Sequence, residues 1–346
     1  MSESESEEPV YEAPEFDDSV TGGADRMEWI SVRALDGTGR AKLVDAGAYL
    51  RGELKAPCFW VQLDRNYPAV HRWLRDVSGL SDVATQGLLA EESRPRCLSY
   101  EGGVLLNLRG VNLNPGADPS DMVSIRIWAE ADRVITVRRR NLKAVRDVEE
   151  NLEVGVGPRT TSEFLVAITD RLTERMSQVI NDLNDQVDQL EVDLLSEEPD
   201  DLRASLRNLR RESIGLRRYI APQRDAMAAL TGEPVDWLTP VDRQLLRGVA
   251  DRLIRYLEDL DIAREKATFV QDEMSSNLNE KMNRNMFVVS VVAGIFLPLT
   301  VITGLLGINV AGIPGAESPW AFATVTLILV AVVAGELLLL RRLHWF

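Results

Sequence analysis

Two apolar runs close to the C-terminus constrain this chain more than any other feature. Residues 286–306 carry no charged side chain, and residues 320–340 carry only Glu336. A helix needs roughly 20 apolar residues to cross a hydrocarbon core, and inside lipid only helices or closed barrels satisfy every backbone polar group. Both runs therefore read as membrane-spanning helices. Between them the stretch TGLLGINVAGIPG, residues 303–315, breaks the pattern with glycine, asparagine and proline, which favour turns. Neither run reads as a leader peptide, because both lie at the C-terminal end.

The flanks orient the spans. Lys281 and Arg284 precede the first, Arg341 and Arg342 follow the second, and the connection GINVAGIPGAES has no basic residue. Short basic flanks stay cytoplasmic, so both termini are expected inside and the connection outside, in a multi-pass plasma (inner) membrane protein. Trp320 and Trp345 bracket the second span at headgroup depth. Glu336 lies a turn or so from Arg341 and is expected to snorkel and pair with it rather than carry protons.

The rest of the chain divides by composition and period. Residues 1–26 include SESESEEPVYEAPEFDD with no basic residue before Arg26, a disordered acidic tail. Residues 27–160 read as a cytoplasmic α/β domain. The runs MEWISVRAL, CFWVQL, RCLSYEGGVLLNLRGVNL and MVSIRIWAEADRVITVRRR are strand-like, with turns at EGG and at Ala131-Asp132, and residues 67–91 are helical. This domain shows no catalytic constellation. His71 is its single histidine, GVGPRTT lacks the lysine of a phosphate loop, and Cys58 and Cys97 form no CxxC motif and read as small buried hydrophobes.

Residues 161–238 read as a helical hairpin. Leu165, Ile168, Leu172, Met176, Val179, Leu183, Val187, Leu190 and Leu194 recur with an eleven-residue period, which keeps an apolar stripe nearly straight along a helix. SEEPD turns the chain at residues 196–200, and Leu202, Leu206 and Leu209 resume the pattern. Antiparallel pairing would set Asp182, Asp185, Asp188, Glu191 and Asp193 against Arg203, Arg207, Arg210 and Arg211. Thr239-Pro240 then caps a new helix. Residues 239–306 read as one stalk helix continuing into the first span, on the order of 100 Å long at 1.5 Å per residue. Residues 307–318 form the external loop, 319–340 the second span and 341–346 a basic cytoplasmic tail. The fold class is thus an α+β membrane protein: a cytoplasmic α/β domain, a long helical hairpin and stalk, and two C-terminal transmembrane helices.

Two spans cannot enclose a water-filled path, so a pore would need a symmetric ring of subunits. On the first span Asn283, Ser290, Leu297 and Gly304 share one row at seven-residue spacing, with Met286, Phe287, Ala293, Gly294 and Thr300 beside it. Small residues permit close helix approach. Asn283 and Thr300 add oxygen atoms that a cation could use.

The stretch LPLTVITGLLGINVAGIPG resembles the membrane signature of the CorA superfamily of divalent-cation transporters, in which Gly-Met-Asn or a related tripeptide ends the first of two C-terminal spans. The order of α/β domain, stalk, two spans and basic tail recurs as well. This chain reads Gly307-Ile308-Asn309 and lacks the aromatic residue usual before the glycine, which is similar to the ZntB zinc-transporter branch. The resemblance implies a homopentamer whose first spans line the pore. It places the Gly307-Ile308-Asn309 ring at the external mouth as the first site for a hydrated cation, and gives Asn283, Leu297 and Thr300 pore-facing roles beside Ser290 and Gly304. Glu317 in the loop would raise the local cation concentration. Hydrated capture suits magnesium, whereas zinc prefers thiolate and imidazole, and no permanent metal cage is expected. The transported ion is a divalent cation, zinc favoured, with magnesium, cobalt or nickel as alternatives. The partners are further copies of the chain and the bilayer, not nucleic acid. A membrane-tethered scaffold is the alternative of a different class, and an enzyme is not expected.

Overall fold

The structure, a computed structural model, describes residues 27–91, 94–194, 199–308, 315 and 318–342, and the elements below are those of the described residues. The chain forms two compact units, residues 1–270 and residues 271–346. In the first, the strand-like runs build one seven-stranded sheet. Its strands are β1 (Ile30–Leu35), β2 (Ala41–Val44), β3 (Cys58–Asp64), β4 (Arg96–Tyr100), β5 (Gly103–Gly110), β6 (Val123–Ala129) and β7 (Arg133–Arg138), in the order β2-β1-β3-β7-β6-β5-β4. Both anticipated hairpin turns form. Glu101 and Gly102 turn β4 into β5 with φ of 49° and 77°, a left-handed pair that glycine makes accessible. β6 returns as β7 through Ala131-Asp132, closed by Glu130 N–H donating to the Arg133 carbonyl at 2.8 Å.

Only β3 and β7 run parallel, with Trp60 beside Val134 and Leu63 beside Val137. A parallel pair needs a crossover, which here runs through α2 (Pro68–Asp76), α3 (Asp82–Leu89) and the β4–β6 meander. Helices α2 and α3 cover one face of the sheet, packing Val70, Trp73, Leu74, Ala84 and Leu88 on Val61, Leu63, Leu105, Trp128, Ile135 and Val137. The opposite face receives α4 (Lys143–Val154) and α5 (Thr161–Asp193). There the Trp60 and Phe164 rings meet edge to face at 4.8 Å. Gly110 lets α5 close on the sheet, because a Cβ at that position would stand 2.7 Å from Leu172 Cδ2. β2, the short α1 (Ala46–Leu50) and α4 have no counterpart in the sequence reading. β2 and α1 are too short to display a period, whereas α4 carries one in Ala144, Val145, Val148 and Leu152, its buried face.

The eleven-residue stripe is the buried face of α5 from Leu165 to Leu190, and Leu194 is half-buried. α6 (Pro199–Gly232) buries Leu202, Leu206, Leu209, Leu216, Ile220 and Leu230, and the first part of α7 (Pro240–Leu306) buries Leu246, Val249, Leu253, Leu260, Val270 and Met274. Ion pairs reach α7 from both other helices: Asp188–Lys266 and Arg217–Asp261, each 2.5 Å, and Asp170–Arg252. These pairs are substantially exposed and contribute about 0–1 kcal/mol each. The start of α7 is anchored more firmly. Asp242, 6% exposed, accepts from Thr239 Oγ1 at 2.6 Å and from Ser162 Oγ of α5 at 2.5 Å, while the Arg243 guanidinium donates to the Thr231, Val235 and Leu238 carbonyls. The Thr239 cap forms, with Asp242 N–H donating to Thr239 Oγ1 at 3.1 Å. The turn before it rests on the β4–β5 hairpin through Trp237 Nε1 donating to the Gly102 carbonyl, 2.9 Å, and the Ser99 hydroxyl donating to Glu233.

In the second unit, α7 continues to Leu306 and α8 covers Ala321–Arg342.

Candidate functional site in the C-terminal unit

Both helices are apolar enough to span a bilayer, with mean hydropathy of 2.4 and 2.5 over their most apolar windows, and none of either window is buried within the single chain. From Ser275 to Leu306 every described residue is at least partly exposed. So large an apolar surface requires lipid, other protein, or both.

Within this stretch the half-buried positions are Asn277, Leu278, Phe287, Val291, Ile295, Pro298, Leu299 and Ile302. Asn283, Ser290, Leu297 and Gly304 are all exposed. A step of seven residues turns an α-helix by about −20°, so these four form one row, and Ser290 and Leu297 stand about 100° or more from the centre of the half-buried face. The structure therefore brings these four residues together. Thr300 stands apart: it is about 60° round from Leu297 and lines an apolar groove with Leu299, Thr303, Thr326, Val330 and Val333, between α7 and α8. The hydroxyls of Ser290 and Thr300 donate to their own helix, to the Met286 carbonyl at 2.8 Å and the Phe296 carbonyl at 2.7 Å. Their oxygen lone pairs remain as acceptors.

Pro298 lies inside α7. Having no N–H, it leaves the Gly294 carbonyl without its usual donor four residues on. Gly294 is exposed, with open space around it, and falls about 60° from Leu297 on the flank of the row. The sequence reading set Gly294 beside the row but did not single out this carbonyl. The signal was the proline four residues after a glycine.

The helix stops where the glycine enters. Gly307 N–H closes the last turn on the Thr303 carbonyl at 2.9 Å, and Ile308 is exposed. Asn309 and Glu317 lie outside the described residues. Glu336 departs from expectation: its Oε2 is buried with no hydrogen-bond partner, so the anticipated pairing with Arg341 is not made at that oxygen.

Elsewhere the thiols are free. Cys58 is buried and stands 3.3 Å from Thr161 Oγ1, while Cys97 is half-buried, with burial and the nearby Glu233 pushing its pKa up to about 12. His71 on α2 is held below the usual imidazole value by burial and by Arg65 and Arg75. Among the described residues, no group of three or more His, Cys, Asp and Glu side chains is placed to hold a metal ion.

Residues 56–342 match the family model of the CorA-like Mg2+ transporter protein, a span that includes strands β3 to β7, the long helices and both candidate spans. The chain belongs to the CorA family. It is 44% identical over 290 residues to the divalent cation transporter CmaX of Pseudomonas aeruginosa, covering 83% of this chain and 87% of that protein. It is 37% identical over 311 residues to the zinc transport protein ZntB of Pectobacterium carotovorum, covering 90% and 94%. The structure of full-length CmaX superposes with a TM-score of 0.79 at 41% identity over 92% of this chain and 97% of that one. As a CorA family member the chain is a divalent-cation transporter with two candidate membrane helices, and not an enzyme.

Proposed function

We propose that the chain acts as a homopentamer in the plasma (inner) membrane, both termini cytoplasmic, with five copies of α7 around a central path for a divalent cation, zinc favoured. The observation that carries this reading is the exposed row Asn283, Ser290, Leu297 and Gly304 on a face of α7 turned away from its half-buried side. A bare lipid anchor has no use for an asparagine and a serine repeating on one row. Around a symmetry axis each becomes a ring of neutral oxygen, suited to an ion that keeps its water. Leu297 would form an apolar constriction, and the freed Gly294 carbonyl would add a ring of stronger acceptors. Thr300 would take part from the groove side.

At the outer end, the Gly307-Ile308-Asn309 ring would receive the hydrated ion, with Glu317 raising its local concentration. Zinc is favoured by the likeness to zinc transport proteins. The magnesium reading, with cobalt and nickel beside it, is supported by the neutral oxygen chemistry of the row and by the family description.

Flux into proteoliposomes, one ion at a time and with or without a pH gradient, tests the reading together with native mass spectrometry. Saturable zinc uptake by a pentamer of 38.6 kDa subunits is expected. Transport by a monomer or dimer would refute the ring, and magnesium uptake without zinc uptake would refute the ion preference.

A further inference from the structure

The α/β domain contains a polar crevice that the transport reading leaves unused. It opens where the parallel strand pair ends. The chain leaves β3 at Asp64 for α2 on one face of the sheet, and leaves β7 at Arg138 for α4 on the other. Departure to opposite faces separates the two connections and opens a cleft beyond the carboxyl ends of the strands, the place where open α/β sheets bind ligands. Here the cavity measures about 390 Å³ and is lined by Asp64, Asn112, Asn114, Arg139, Arg140 and Asn141.

Two helices start beside it. The N-cap residues Tyr67 of α2 and Leu142 of α4 are extended, and neither side chain accepts a hydrogen bond from the first turn. Uncapped helix N-termini carry partial positive charge and donors in need of acceptors.

An independent observation is a group of buried positive charges whose field reaches Arg139 of the crevice. Arg126, 1% exposed on β6, donates to the Ala90 and Glu91 carbonyls and to Ser124 Oγ, and its Nε has no partner. Arg65, which directly follows β3 and is 9% exposed, donates to the Leu89 carbonyl and likewise has an unpartnered Nε. Asn107, opposite Arg126 in the strand ladder and 1% exposed, has no partner for either side-chain amide atom. Among the described residues none of Arg65, Arg126 and Arg139 forms a salt bridge, although the charge of Glu91 reaches Arg65. Burial and the like charges of Arg65, Arg109 and Arg139 push the pKa of Arg126 down to about 10. Arg139 thus belongs both to this cluster and to the lining of the crevice. A buried arginine group normally has an anion among its partners.

We propose that the crevice binds a phosphoryl group, carried by inorganic phosphate or by a nucleotide, with Arg139 and Arg140 as its direct contacts. The guanidinium fork matches phosphate geometry. The helix N-termini add donors, fewer at α2, whose first residue Pro68 has no N–H. Arg140 already holds Asp121 at 3.2 Å in an exposed pair that an anion can rearrange at little cost. Asp64, whose Oδ1 accepts the Asn66 N–H at 2.9 Å, is the lining group able to accept from a P–OH or a ribose hydroxyl.

The test uses the full-length protein in detergent with EDTA, titrated calorimetrically with sodium phosphate, ADP and ATP against sodium chloride at matched ionic strength. Saturable binding of phosphate, a nucleotide or both is expected. Arg139→Gln should weaken it at least tenfold, whereas Arg224→Gln, at an exposed ion pair on α6, should leave it unchanged. Tighter binding of the nucleotides than of phosphate would assign the ligand as a nucleotide, and equal affinity would assign the phosphoryl group alone. Absence of saturable binding beyond chloride, or wild-type affinity in a folded Arg139→Gln protein, would overturn the proposal.

Discussion

Replacing Asp242 should loosen the root of α7 by an amount that its contacts define. Its Oδ2 is the acceptor for the Ser162 hydroxyl at 2.5 Å and the Thr239 hydroxyl at 2.6 Å. In Asp242→Ala, the Ser162 hydroxyl, 1% exposed, loses its acceptor in a place water does not reach, a cost of about 1–3 kcal/mol. A carboxylate in the first turn of a helix adds about 0.3–1 kcal/mol. Thr239 is exposed, so its hydroxyl can turn to water at little cost. The total is about 1–4 kcal/mol. Asp242→Asn retains a carbonyl with two lone pairs for both donors and loses only charge assistance, about 1–2 kcal/mol. Val241→Ala, at a position 70% exposed, is the control, at under about 0.5 kcal/mol. Thermal unfolding of the full-length variants, followed by tryptophan fluorescence, should rank wild type and Val241→Ala above Asn above Ala. At roughly 2–4 °C per kcal/mol the alanine variant should melt roughly 3–15 °C early. A midpoint for Asp242→Ala within 1 °C of the control would refute the anchoring role.

Three further outcomes are expected. Asn309→Ala should strongly reduce divalent uptake with assembly and thermal stability nearly unchanged, and Glu317→Gln should cost less, with an effect that shrinks at high ionic strength; wild-type transport by an assembled Asn309→Ala pentamer would reduce the tripeptide to a helix terminator. A cysteine at Ala316 should react with an impermeant thiol reagent on intact cells while one at Ser2 does not, and the reverse pattern would invert the topology. Cys97, with its pKa raised to about 12, should resist iodoacetamide at pH 8 in the folded protein. Because the unfolded thiol loses its proton first, stability should fall as pH rises from about 9 towards 12; alkylation at the rate of an unfolded control would contradict the half-buried placement beside Glu233.

Local patterning determined a large part of this molecule. Apolar runs long enough to span a bilayer, the Glu101-Gly102 and Ala131-Asp132 turns, the Leu165–Leu190 stripe and the Thr239 cap each follow from residues a few positions apart, and each forms where its pattern lies. The polar row on α7 is likewise a matter of helical arithmetic, since seven residues return the chain to nearly the same face. Tertiary structure decided what depends on residues distant in sequence. The parallel pairing of β3 with β7 joins segments more than 70 residues apart, and no period in either segment announces it. The crevice at their ends exists only because the two connections diverge to opposite faces. Ser162 and Asp242 meet across 80 residues. The arginines at 65, 126 and 139 look like solvated surface charges in the sequence, yet folding buries the first two and sets the third within their electrostatic reach. A side chain's charge is written in its own residue, but its desolvation and its partners are properties of the packing around it.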